Sequence, residues 1–118
     1  MSEARVNRRR EGAFYERLAA DYLTRKGMDI LERNFRCRLG EIDLIAREDK
    51  CLVFVEVKYR RSRSHGLPEE AVGPAKIRTI YRVADYYRMT HRIAETRPIR
   101  FDLLAIEGEE IRHYRAAF

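Results

Sequence analysis

Three charged side chains, Asp43, Glu56 and Lys58, stand where a strand pattern would place apolar ones. They lie in the stretch Gly40 to Arg60, G-E-I-D-L-I-A-R-E-D-K-C-L-V-F-V-E-V-K-Y-R, which reads as two short strands around a polar turn, Glu48-Asp49-Lys50. Strand side chains alternate between faces, so Val53, Val55 and Val57 line one side of the second strand and Leu52, Phe54, Glu56 and Lys58 the other. In the first strand Ile42, Leu44 and Ala46 share a face, and Glu41, Asp43 and Ile45 share the opposite one. An antiparallel hairpin with a four-residue connection, Glu48 to Cys51, sets Asp43 directly opposite Glu56. A two-residue loop at Glu48-Asp49 sets Glu41 opposite Glu56 and leaves Asp43 on the diagonal. Either register puts Asp43, Glu56 and Lys58 on one face, with opposed Cβ atoms about 5 Å apart. Two carboxylates that close repel unless a cation or a proton sits between them. The expectation is a cation site. The competing reading is an exposed cross-strand salt bridge of Asp43 or Glu56 with Lys58, which contributes little.

The flanking elements must hold this pair of strands. Residues 1–11 form a basic polar lead-in with Arg5, Arg8, Arg9 and Arg10, expected to be flexible. From Gly12 to about Lys26 the pattern is helical, with Phe14, Tyr15, Leu18, Ala19, Tyr22 and Leu23 on one broad apolar arc. Glu16 falls inside that arc. An ionised carboxylate is rarely buried unpaired, so Glu16 either borders the core and pairs with an arginine or serves the site. Gly27 is placed to cap the helix, and Met28 to Phe35 reads as an irregular first strand. After the two central strands, Arg60 to Pro68 is a polar, basic loop with Arg61, Arg63 and His65. A second helix is expected from Pro74, which suits a first helical turn, to about Thr90, with Ile77, Ile80, Tyr81, Val83, Ala84 and Tyr87 facing inward. Lys76 projects onto that apolar arc, either snorkelling over it or reaching phosphate. Strands follow at Ile99 to Ile106 and near Ile111 to Tyr114, separated by a turn at Gly108-Glu109. Helix, three strands, helix and two strands imply an α/β domain, a mixed central sheet with helices packed on it. The valine face belongs under one helix, and the charged face must open on a cleft or be covered incompletely.

Composition bounds the possibilities. The chain has 118 residues, 37% charged and 45% hydrophobic, so it is read as one domain (1–118) too apolar to be disordered. A net charge of +6 permits nucleic acid or anionic surfaces as partners. No apolar run approaches the ~20 residues of a membrane span, and no secretory apolar stretch follows the basic N-terminus. Cys37 and Cys51 are too few for a disulfide framework or a four-cysteine zinc site. A cytoplasmic protein with reduced thiols is expected. His65, His91 and His113 show no metal-ligand spacing and are read as solvated.

Asp43 precedes Glu56 by thirteen positions and Lys58 follows after one residue, which resembles the D…E-x-K signature of the restriction-endonuclease-like nucleases. Further blocks stand in order: Gly12 and Glu16, Ala19-x-x-Tyr22-Leu23, Arg33 to Arg36 (R-N-F-R), Gly40 to Ala46 (G-E-I-D-L-I-A), Phe54 to Lys58 (F-V-E-V-K) and Arg100 to Asp102 (R-F-D). Together they resemble the YraN family of predicted endonucleases and, more distantly, the archaeal Holliday-junction resolvases. Tyr15 stands where that family often has glycine. The resemblance implies a restriction-endonuclease-like fold and a nuclease site made of Asp43, Glu56 and Lys58. Glu16, by the same resemblance, would be a further ligand or a supporting acid.

The residue types suit that chemistry. Asp43 and Glu56 offer hard oxygen ligands for Mg²⁺ or Mn²⁺, and such a metal lowers the pKa of a bound water and neutralises phosphate charge. Lys58, two residues along the strand from Glu56, can stabilise the transition state or help deprotonate the water. Glu41 can instead support Lys58. Arg60, Arg61, Arg63 and Lys76 can reach phosphates flanking the scissile one, or belong to an ordinary solvated surface. Asp102 is open between core support and function. The leading expectation is a Mg²⁺- or Mn²⁺-dependent phosphodiesterase acting on DNA, branched or flapped structures included. The alternatives are a nucleic-acid-binding module without turnover and a structural or partner-binding protein. A homodimer would let two sites address both strands of a duplex.

Overall fold

In the computed structural model, residues 3–60 and 72–118 are described, residues 3–7 by their backbone alone. The elements follow in the expected order: α1 Glu3–Arg25, β1 Asp29–Cys37, β2 Gly40–Glu48, β3 Cys51–Arg60, α2 Pro74–Thr90, β4 Ile99–Glu107 and β5 Glu110–Tyr114. The strands form one sheet in the order β1-β2-β3-β4-β5. Neighbours are antiparallel except β3 and β4, which run parallel. A parallel pair needs a long crossover, and α2 supplies it. The result is an α/β fold with a mixed sheet.

Helix α1 begins at Glu3, well ahead of Gly12, and so takes in most of the basic lead-in. That segment has no apolar stripe to betray a helix, but its glutamates, alanine and arginines are good helix formers. The other end is set by Gly27, at φ 95°. Gly27 N–H donates to Thr24 O and Met28 N–H to Leu23 O, each at 3.0 Å, the paired bonds of a Schellman cap.

The sheet is covered on both faces. On one side Tyr15, Ala19, Ala20 and Leu23 of α1 pack on Leu44, Ala46, Val53, Val55, Val57, Leu104 and Ile106. On the other, Ile80, Val83, Ala84 and Tyr87 of α2 pack on Ile42, Ile45, Leu52 and Phe54. Each large side chain so buried contributes about 1.5–3 kcal/mol. Three details depart from the sequence pattern. Phe14, expected on the apolar arc of α1, is 48% exposed. Tyr81 is 40% exposed, on the margin of α2 with its ring against Phe101 rather than in the core. Ile42 packs on the α2 side although Leu44 packs on the α1 side, so strict alternation fails at the residue between them, Asp43.

Helix α2 comes close to the start of β2 at Gly40. A Cβ there would lie 2.6 Å from Thr79 Cγ2, and the backbone sits at φ 146°. Glycine is required by both contact and conformation.

Candidate functional site

The break at Asp43 is where the site forms. The β2–β3 ladder runs from Glu48↔Cys51 to Leu44↔Val55, around the two-residue turn Asp49-Lys50 with Asp49 at φ 54°. This is the register that aims Asp43 at Glu56, with a tighter turn than a four-residue connection. Beyond Leu44 the ladder stops. On the other side of β2, Arg33↔Leu44 and Phe35↔Ile42 pair, but Asn34 and Asp43 between them do not, and Asn34 adopts φ 52°. The irregularity in both ladders releases the Asp43 side chain from a regular strand position. Its Oδ2 accepts the backbone N–H of Val57 at 2.8 Å, a donor that β2 no longer takes.

Glu56 is only 4% exposed. The Asp43 carboxyl is pushed up to about 8, chiefly by burial and then by a hydrogen bond that its protonated form donates to Glu56 and by the charge of Glu56. The Val57 N–H and the Lys76 ammonium pull the other way. A buried carboxyl group, Glu56, and a half-buried one, Asp43, thus share a space that suits one proton or one cation. Glu56 Oε2 is buried and has no hydrogen-bond partner among the described residues. Lys76 Nζ, from the first turn of α2, stands 3.6 Å from it, too far for a hydrogen bond but close enough for an ion pair. The helix lysine is therefore the cation beside the pair, and its aliphatic stem does not merely snorkel over α2.

Lys58 follows Glu56 by two positions on β3, opposite Ala105 of β4, half-buried and without an ion pair among the described residues. Arg60, the last residue of β3, is half-buried. Arg61, Arg63 and His65 lie outside the described residues.

Glu16 does not join the pair. Its Oε2 accepts from Asn34 Nδ2 at 2.8 Å, and with Ala13, Arg17, Arg33, Asn34 and Leu44 it lines a cleft of about 160 Å³. Among the described residues no three His, Cys, Asp or Glu side chains cluster closely enough to hold a metal. The expected third ligand is tied instead to the strand position beside Asp43. Asn34 is the functional candidate that sequence reasoning missed. Its signal was an asparagine in mid-strand, a residue that tolerates positive φ where most do not.

Glu41 also lies apart from the pair. It accepts from Arg36 Nε at 2.9 Å across the β1–β2 hairpin and does not support Lys58. Tyr15 is buried and stacks on Tyr59, centroids 4.3 Å apart.

Asp102 proves to be a core support. Wholly buried, it accepts from Arg100 Nε (2.8 Å) and Nη2 (2.9 Å) and from Ala116 N–H (3.0 Å), and pairs with His113 Nε2 (2.8 Å). Burial alone would raise its pKa, but His113, Arg100 and the Ala116 N–H outweigh it and hold the carboxyl at about 2. Arg100 also donates to Glu48, as does Arg115, so the network ties the C-terminal tail to β2 and β4. His113 is consequently buried and not solvated. His91 caps α2 and stacks on Tyr87, centroids 3.9 Å apart, while staying exposed as expected of a turn position. Cys37 and Cys51 are free thiols. Among the described residues no helix is long and apolar enough to cross a membrane.

Fold and site define an α/β protein whose mixed sheet carries an acidic pair, Glu56 buried and Asp43 half-buried, at the point where two strands part. The chain belongs to the UPF0102 family: residues 15–106 match the uncharacterised protein family UPF0102. It is 50% identical over 113 residues to the UPF0102 protein of Lachnoclostridium phytofermentans, covering 96% of each chain. Over 111 residues it is 47% identical to that of Syntrophotalea carbinolica, covering 91% of this chain and 89% of the relative. With that of Alkalilimnicola ehrlichii it shares 42% over 103 residues, 87% and 82% of the two chains.

Proposed function

We propose that this protein is a metal-dependent phosphodiesterase, an endonuclease of the restriction-endonuclease-like class acting on DNA, branched structures included. The observation that carries the reading is the Asp43–Glu56 pair, a buried and a half-buried carboxyl group set against each other with one Glu56 oxygen left without a hydrogen bond among the described residues. Setting two acids together away from water is costly, and the Lys76 ammonium at 3.6 Å leaves Glu56 Oε2 without a hydrogen bond. The fold gains nothing that apolar residues would not supply better, so the arrangement points to a ligand. The resemblance of the surrounding blocks to the YraN family adds independent support.

The donor set fits a hard divalent cation. Asp43 and Glu56 would hold Mg²⁺ or Mn²⁺, which when bound supplies an activated water and neutralises phosphate charge. Two carboxylates suffice for an ion that keeps several waters and takes substrate oxygens. Lys58, roughly 6–7 Å along β3 from Glu56, directs an ammonium to the phosphate. The Val57 N–H fixes the Asp43 carboxylate, and Asn34 fixes Glu16. Arg60, with Arg61 and Arg63, lies just past Lys58 in sequence and contacts neighbouring phosphates. A cytoplasmic setting accords with the two free thiols.

Cleavage of a labelled panel (single strand, duplex, flap, four-way junction) in Mg²⁺, Mn²⁺ or EDTA tests the reading. Metal-dependent products from the wild type that vanish in Asp43→Asn and Lys58→Ala are expected. The second reading is a nucleic-acid-binding module without turnover, favoured by the absence of a third acid beside the pair among the described residues. Salt-sensitive binding by all three proteins with no cleavage in any metal would select it.

A further inference from the structure

We propose that Lys76 and the metal ion are alternative partners of Glu56: the Lys76 ammonium holds the cation position in the metal-free protein, and metal binding expels it toward the substrate phosphate. This rests on the metal-site reading of Asp43 and Glu56.

Two independent features of Lys76 lead there. The first is its contact. Glu56 Oε2 is buried, and Lys76 Nζ stands 3.6 Å away, paired by charge while the oxygen keeps no hydrogen bond. An ammonium settled in a permanent buried pair would close to hydrogen-bond distance and fill those lone pairs. The second is its place in the helix. Lys76 lies in the first turn of α2, which has Gly73 as N-cap, no side-chain cap and no acidic residue. The unsatisfied N–H groups there carry the positive end of the helix dipole, so the position disfavours a cation. Glu56 is what makes a lysine tolerable at that turn.

Exchange is sterically simple. The Lys76 side chain is 37% exposed, so its head has a route to solvent. A flexible four-carbon stem lets the ammonium move several ångströms without shifting the backbone. A divalent cation takes the carboxylate oxygen more strongly than a monovalent ammonium at longer range. Once released, the ammonium remains tethered at the rim of the acidic pair, where a phosphate bound to the metal would meet it. Metal binding would therefore convert Lys76 from a neutraliser of the enzyme's own carboxylate into a substrate contact.

Amine-directed labelling of the intact wild-type protein, read by peptide mass spectrometry, tests the exchange directly. In EDTA Lys76 should label slowly, and Mg²⁺ or Mn²⁺ should raise its rate several-fold while Lys26 and Lys50 stay constant. An unchanged or slower rate in metal concentrations that saturate the site overturns the proposal. Calorimetric Mn²⁺ titration separates this from the underlying reading. Lys76→Met should bind Mn²⁺ about tenfold more tightly, because a competing charge is gone, and Lys76→Arg should bind no more tightly than wild type. If wild type binds Mn²⁺ and Lys76→Met binds it equally or more weakly, the exchange is wrong and the metal site stands. If wild type binds no better than Asp43→Asn, the metal-site reading itself falls.

Discussion

At the scale of single residues, half-buried Asp43 and wholly buried Asp102 have opposite electrostatics. Asp43 shares its space with another acid, and burial with Glu56 raises its carboxyl from 3.8 to about 8. A folded-state pKa above the unfolded one means the folded protein holds a proton that the unfolded chain releases. Metal-free stability is therefore highest below about pH 4 with respect to this group and declines as pH rises toward 8. Asparagine at this position keeps the acceptor for the Val57 N–H and offers a donor to Glu56. Asp43→Asn should thus be more stable than wild type by about 1–3 kcal/mol at pH 8 in EDTA, with no gain near pH 4. Urea unfolding at the two pH values measures it, and a variant less stable than wild type at pH 8 contradicts the crowded-acid account. Asp102 is the reverse case. Its carboxyl is lowered from 3.8 to about 2 by His113, Arg100 and Ala116 against the effect of burial. Its contribution is present above about pH 4 and is lost as pH falls toward 2. Asp102→Asn leaves Arg100 and His113 without their anion and should cost about 3 kcal/mol at pH 7. A loss below about 1 kcal/mol would mean that the network does not anchor the tail.

At the scale of elements, the sequence yields most of what periodicity can express. A valine face of β3 under one helix, the inward arc of α2 and a mixed sheet follow from spacing and element order; that the helix is α1 and that β3 and β4 are the parallel pair come from the structure. The Asp43–Glu56 encounter was legible because charge stood in apolar positions on two adjoining strands. Features that break a period were not. Strict alternation put Ile42 with Leu44, but the step at Asn34 and Asp43 sends Ile42 to the α2 face. Only the three-dimensional ladder reveals that Asn34 takes φ 52° and binds Glu16, which ties the helix acid to β1. Glu41 was misplaced for a related reason: Arg36, across a neighbouring hairpin, offered a closer charge. Gly40 shows how tightly the elements are set. Gly40→Ala places a methyl 2.6 Å from Thr79 Cγ2 at φ 146°, so a loss of about 2–4 kcal/mol is expected. The double variant with Thr79→Ala should recover the clash but not the backbone strain. Full recovery, measured by thermal or urea unfolding, would show that conformation at Gly40 costs nothing.

Across the whole molecule, α1 brings a second basic group to the end of the sheet where the acidic pair sits. A Cβ on Gly12 would lie 3.5 Å from the Tyr59 hydroxyl, which fixes that part of α1 beside the end of β3. Arg8, Arg9 and Arg10 are exposed and precede Gly12 by roughly 3–6 Å along the helix axis at 1.5 Å per residue. They therefore extend past Tyr59 toward the end that carries Lys58 and Arg60. On the proposed nuclease reading, these three arginines would join Lys58 and Arg60 on the side from which a phosphodiester approaches. Electrostatic footprints of this kind act through counterion release, with each neutralised phosphate adding about 0.9 to the slope of log affinity against log salt on duplex DNA. Replacing Arg8, Arg9 and Arg10 together by alanine should reduce that slope by about 2–3 and weaken binding to all shapes in the panel alike. Alanine favours helix, so α1 should persist, and unfolding of the triple variant should match wild type within about 0.5 kcal/mol. A salt slope unchanged by the triple replacement would place the nucleic-acid track elsewhere, away from α1. A slope reduced only for one branched substrate would instead mean that the helix reads shape as well as charge.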